Sequence, residues 1–127
     1  MRDTVSTDLT IMVVEDLEDA RLAMRLQLEH RGYRVIEAED GKKAVELALQ
    51  EYPDIILMDL SLPNLDGFEA AKQIRKDEQM RQVPIIAVTA HQEPNFRQGA
   101  KASGFDAYVT KPIDMDWLSE LISGLRP

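Results

Sequence analysis

Apolar positions along this chain follow two alternating patterns. Short, mostly apolar runs occur from Leu9 to Val14 (LTIMVV), Arg34 to Ala38 (RVIEA), Ile55 to Asp59 (IILMD), Ile85 to Thr89 (IIAVT) and Asp106 to Val109 (DAYV). Their length and β-branched content predict strands. Between them apolar residues recur at three- and four-residue spacing, the period of a helix with one buried face. These positions are Ala20, Met24 and Leu28; Ala44, Leu47 and Ala48 with Glu51; and Phe68, Ala71 and Ile74 with Arg75. The last such segment is the clearest, with Trp117, Leu118, Leu121, Ile122 and Leu125 on one apolar face. A weaker helix is expected from Pro94 through Phe96 and Ala100 to Ala102, stopped by Gly104. If Ala20, Met24 and Leu28 face the core, Leu22 and Leu26 face away from it.

Strands alternating with helices predict a single parallel sheet covered on both faces, because parallel neighbours require crossovers and right-handed ones predominate. LTIMVV, IILM and IIAV are almost wholly apolar and suit interior strands, whereas RVIEA alternates and DAYV is short, as edge strands are. The expected fold is therefore an α/β, three-layer sandwich of the flavodoxin-like (βα)5 kind, with strand order 2-1-3-4-5. At 127 residues the chain suits one domain. Residues 9–127 are expected to form it, behind a flexible polar segment at 1–8.

Charge then narrows the function. Fifteen basic and twenty-three acidic side chains leave a net charge of −8, which opposes nucleic acid and anionic lipid. No apolar run approaches the roughly 18 residues of a membrane span. With no cysteine, neither a disulfide framework nor a thiolate metal site is available, and a cytoplasmic location is the expectation.

In open parallel sheets, sites form beyond the carboxyl ends of the strands. Here those ends carry Glu15 and Asp16, then Asp59, then Thr89, then Lys111 before Pro112. Acids gathered at one rim raise one another's pKa unless a cation neutralises them. Without histidine or cysteine ligands that cation is hard, and Mg2+ suits a site of carboxylates, waters and phosphate oxygens. Lys111 and Thr89 are suited to hold the oxygens the metal does not reach. The apolar run ahead of Asp59 fixes that carboxylate where water, metal and phosphate can reach it.

In combination these motifs resemble the receiver domain of two-component response regulators, the CheY-like family, over nearly all of Leu9 to Leu125. The likeness is carried by the acidic pair after the first strand, then MDLSLPNLDG, VTA and YVTKP in order. It implies that Asp59 accepts a phosphoryl group from a phosphohistidine on a sensor histidine kinase or histidine phosphotransfer protein. It further implies Mg2+ held by Asp16, Asp59 and the main-chain carbonyl of Ser61, with Glu15 acting through a metal-bound water. Thr89 and Lys111 would contact the phosphoryl oxygens, and Tyr108 would shift when Thr89 moves. A cis peptide before Pro112 is common in the family. Such a protein is not an enzyme in the usual sense, since it catalyses only its own phosphorylation and dephosphorylation.

Phosphorylation adds roughly −1.5 to −2 charge, toward which the Thr89 hydroxyl can turn, leaving room for Tyr108. The surface of the expected helix at 94–102, the fifth strand and the last helix is therefore the expected output face. It would act on a downstream protein effector or on an output domain missing from this sequence. Asp66 is expected to cap the third helix; His91, two residues after Thr89, reads first as a solvated loop histidine, with an effect on phosphate lifetime as the alternative, alongside Ser61, two residues after Asp59. Leu22 and Leu26 together could dock a kinase or phosphotransfer helix. Two other classes fit poorly: the D-x-D pattern of haloacid dehalogenase phosphatases is missing from VVEDLEDA, and the loop after the first strand is too acidic for a nucleotide phosphate. A phosphate-independent interaction module of the same fold stays open.

Overall fold

The computed structural model describes residues 9–60, 67–89 and 104–125. Five parallel strands, β1 (Thr10–Val14), β2 (Arg34–Ala38), β3 (Ile55–Asp59), β4 (Ile85–Thr89) and β5 (Ala107–Thr110), form one sheet in the order β2-β1-β3-β4-β5. The apolar runs occupy the interior, with β3 and β4 buried at every residue. Register sets Val14 beside Ala38 and Met58, Asp59 beside Val88, and Thr89 beside Thr110. The strand ends consequently line up along one rim.

Strand alternation divides the core in two. Met12, Val14, Ile56, Met58, Ile85 and Ala87 face one side, where Ala44 and Ala48 of α2 (Gly41–Glu51) and Ala70, Ala71 and Ile74 of α3 (Gly67–Arg75) cover them. Ile11, Val13, Ile55, Leu57, Ile86 and Val88 face the other. They pack against Leu28 of α1 (Glu18–His30) and against Leu118 and Ile122 of the C-terminal helix (Met115–Leu125). The first residues (1–8), Ser61, Asp66, His91 and the helix expected from Pro94 to Ala102 lie outside the described residues.

Two expectations about helix faces need correction. Trp117 is 48% exposed although its neighbour Leu118 is fully buried. Ala20 is also exposed; it sits in the first turn of α1, where it lines the open cleft beside Glu15 and Asp59 rather than the packed core. Leu22 and Leu26 are exposed, as the spacing requires. The last strand begins one residue later than its apolar pattern, because Asp106 has another task. Its carboxylate accepts from the Ile85 N–H at 2.8 Å and from Arg75 Nη2 at 2.6 Å. Arg75 also donates to the carbonyls of Met80, Arg81, Val83 and Gly104. One guanidinium thus lashes the end of α3 to the turn before β4 and the approach to β5. Gly104 takes a φ of 96°, in the left-handed region that favours glycine.

Candidate functional site

Two backbone ladders continue past the strand ends and deliver the site. The Glu15 N–H donates to the Ala38 carbonyl at 3.1 Å, so Glu15 extends β1 alongside β2. The Lys111 N–H donates to the Thr89 carbonyl at 2.8 Å, which carries the lysine one step past β5. By strand parity Glu15, Asp59 and Lys111 all fall on the face covered by α1 and the C-terminal helix. Asp59 ends β3 with its side chain only 6% exposed. Asp16, next to Glu15, is exposed.

The rim brings these groups together. One carboxylate oxygen from each of Glu15, Asp16 and Asp59 lies within 4.8 Å of the other two. Lys111 Nζ stands 2.9 Å from Asp59 Oδ2 and 3.3 Å from Glu15 Oε1, and the peptide before Pro112 is cis. Burial pushes the Glu15 pKa up, and Asp16 and the Asp59 charge add to this against the opposing Leu17 N–H and Lys111. For Lys111, burial pulls downward, but the hydrogen bond and charge of Asp59, with Glu15 behind them, outweigh it and hold the ammonium above its ordinary range. Three oxygen donors carrying more negative charge than one lysine offsets, with no nitrogen or sulfur ligand beside them, fit a hard divalent cation.

Thr89 is buried and lies on the opposite face, because it continues the parity of Ile85 and Ala87. Tyr108 pairs with Ala87 and packs half-buried into that same layer. Threonine and tyrosine are therefore neighbours across one strand pair. At the foot of the site Gly67 packs closely: a Cβ there would stand 3.0 Å from the Asp59 carbonyl oxygen and 3.1 Å from Leu60 Cδ2, so those neighbours would have to give way. A cleft of about 300 Å³ opens beside the acids between α1 and the C-terminal helix, lined by Ala20, Ala23, Met24, Ile113 and Met115.

Sequence reasoning missed Arg21, whose Nη1 donates to the Glu15 carbonyl at 3.0 Å. A signal was present: Glu37 interrupts an otherwise apolar alternation in β2, and Arg21 and Arg25 stand one turn apart on the helix beside it.

Fold and rim together define a flavodoxin-like α/β domain with an acid-lined site at its topological switch point. The family profile described as the response regulator receiver domain matches residues 11–123, and the chain belongs to that family. PilH of Pseudomonas aeruginosa is 36% identical over 115 residues, which is 91% of this chain and 95% of PilH. A sensor histidine kinase receiver domain from Pseudomonas aeruginosa PAO1, solved with a magnesium ion coordinated in its active-site cleft, has a TM-score of 0.87 and 35% identity, covering 94% of this chain and 98% of that one. The Saccharomyces cerevisiae Ssk1 receiver domain, solved with the histidine phosphotransfer protein Ypd1, has a TM-score of 0.87 and 30% identity, covering 97% and 92%. The chain is thus a two-component signalling module rather than a member of a conventional enzyme family.

Proposed function

We propose that Asp59 accepts a phosphoryl group from the phosphohistidine of a sensor histidine kinase or histidine phosphotransfer protein, in a Mg2+-dependent reaction that switches a protein-interaction surface. The observation that carries this reading is the Asp59 carboxylate itself, buried at a strand end between a lysine ammonium 2.9 Å away and two further acids. In the transfer, a carboxylate oxygen of Asp59 forms a bond to phosphorus as the P–N bond breaks. The electron pair returns to the imidazole nitrogen, which takes a proton from solvent. Asp59 reacts as the anion and needs no general base. Lys111, already against the nucleophile, turns its charge to the phosphoryl oxygens, and most of the rate gain is positioning and charge stabilisation of this kind. Bound Mg2+, held by Asp16, Asp59 and the Ser61 carbonyl with Glu15 acting through a water, would supply positive charge to the same oxygens. Ser61 lies outside the described residues.

Thr89 then hydrogen-bonds to the phosphoryl group and Tyr108 moves into the space released, changing the face presented to an effector or output domain. Hydrolysis of the acyl phosphate by water resets the switch, so the chain catalyses only its own phosphorylation and dephosphorylation. The Ssk1 and Ypd1 pair supports a phosphotransfer partner, and the magnesium-bound kinase receiver supports the ion. Residues 9–127 act as the receiver unit in this reading, with cytoplasmic signalling as its setting. Among the described residues no helix is long and apolar enough to cross a membrane.

Incubation with a small acyl phosphate and Mg2+, followed by intact mass, tests the reading. A phosphoryl adduct is expected in the wild type, and none in Asp59→Asn or in excess chelator. An unmodified wild type would leave a phosphate-independent interaction module instead.

A further inference from the structure

Glu37 belongs to an edge strand, yet by parity with Val35 it faces α1. Two arginines hold it: Oε1 accepts from Arg21 Nε at 3.0 Å, and Oε2 from Arg25 Nη1 at 2.6 Å. The Arg21 side chain is 16% exposed and spends a second donor on the Glu15 carbonyl. One planar, rigid fork therefore joins the edge strand to the peptide between the two acids of the cluster. We propose that Arg21, anchored by Glu37, is a positioning residue that fixes the Glu15–Asp16 peptide so that both carboxylates face Asp59; this rests on the metal-site reading above.

The geometry supplies the reason. Orientation of the Glu15–Asp16 peptide sets the directions in which both side chains leave the chain, and the carbonyl of that peptide is the atom Arg21 holds. The three carboxylates repel one another, so a free peptide would rotate to separate them. On the strand side the turn is restrained by the Glu15 N–H to Ala38, and within the turn by the Leu17 N–H to Glu15 Oε2 at 3.1 Å. Neither fixes the carbonyl. Outer partners of this kind change metal affinity through the ligands they orient, commonly by 10- to 100-fold.

Three roles for Arg21 give three different signs. If it only tied α1 to β2, its loss would lower Tm and leave Mg2+ affinity unchanged. If it acted as a nearby positive charge, its loss would tighten Mg2+. As a positioning residue, its loss weakens Mg2+.

Calorimetric Mg2+ titrations of the wild type, Arg21→Gln, Arg21→Lys and Glu37→Gln, run below every Tm, separate these outcomes. Hydrogen exchange of the Leu17 amide is followed in the metal-free proteins. Arg21→Gln is expected to weaken Mg2+ about tenfold and to speed exchange at Leu17. Arg21→Lys should also weaken it, because it restores the charge without the fork. Glu37→Gln should act in the same direction and more mildly, and keeps the test available if Arg21→Gln does not fold. Unchanged or tighter Mg2+ binding in folded Arg21→Gln or Glu37→Gln, beside a wild type that binds, overturns the proposal alone. A wild type that takes up no Mg2+ overturns it together with the site reading.

Discussion

At the scale of single residues, an ionised Glu15 stands among two other carboxylates with little water around it. Its pKa is raised above the ordinary 4.5, chiefly by burial. The folded state thus holds this proton more tightly than the unfolded chain, and ionisation costs stability. That cost is absent below the unfolded value, grows as pH rises toward the folded value, and is fully present above it. Glu15→Gln should therefore raise the Tm of the metal-free protein by a few degrees at pH 7. The gain should shrink as pH falls through the ordinary 4.5 and vanish at about pH 3, where wild-type Glu15 is protonated in both states. Thermal melts in chelator at the two pH values check this, and an unchanged or lower Tm at pH 7 contradicts it. Lys111 has the opposite sign. Its raised pKa marks a stabilising contact that is complete below the ordinary lysine value and is lost only as pH climbs through the folded one.

At the scale of elements, strand ends were legible because parallel strands converge on one rim, so an acid or lysine closing an apolar run declares its place. Asp59, Glu15 and Lys111 were read in that way. Helix faces were less legible. Positions 117 and 122 lie about 140° apart on a helix, so five apolar residues define a wide arc without saying where its centre rests on the sheet. The arc in fact centres toward Leu118 and Ile122, leaving Trp117 at the solvent margin. Arginines were least legible, since a lone arginine on a helix reads as solvated until its carbonyl partners are known. Arg75 shows what that hides. Its guanidinium satisfies carbonyls from the turn after α3 and from Gly104 while pairing with Asp106, and Arg75→Ala would leave several of them without a donor. The expected loss is about 2–3 kcal/mol, read as a shift in urea midpoint. Arg75→Lys should recover less than half of it, because one ammonium cannot span carbonyls from two segments. Full recovery by lysine would show that charge alone matters there.

At the scale of the whole molecule, the sheet separates two tasks in the proposed reading. Glu15, Asp59 and Lys111 lie on the α1 face, and Thr89 and Tyr108 lie on the other. A phosphodonor approaching over α1 then leaves the Tyr108 layer on the other face of the sheet uncovered. In the proposed reading the donor imidazole must reach the Asp59 oxygen, and a donor helix that brings it there from the α1 side would rest against α1. Leu22 and Leu26 are 40% and 52% exposed there, four residues apart on one face. Covering what remains exposed of both would contribute about 1 kcal/mol each, enough together for about a tenfold change in encounter affinity. Leu22→Ser with Leu26→Ser should therefore slow phosphotransfer from a phosphohistidine protein about tenfold. Labelling by a small acyl phosphate and the affinity for Mg2+ should stay as in the wild type, because neither leucine belongs to the acid cluster or to Lys111's contacts. Equal slowing with both donors would place the effect in the site itself, and an unaltered rate with the protein donor would mean that α1 is not where that donor rests.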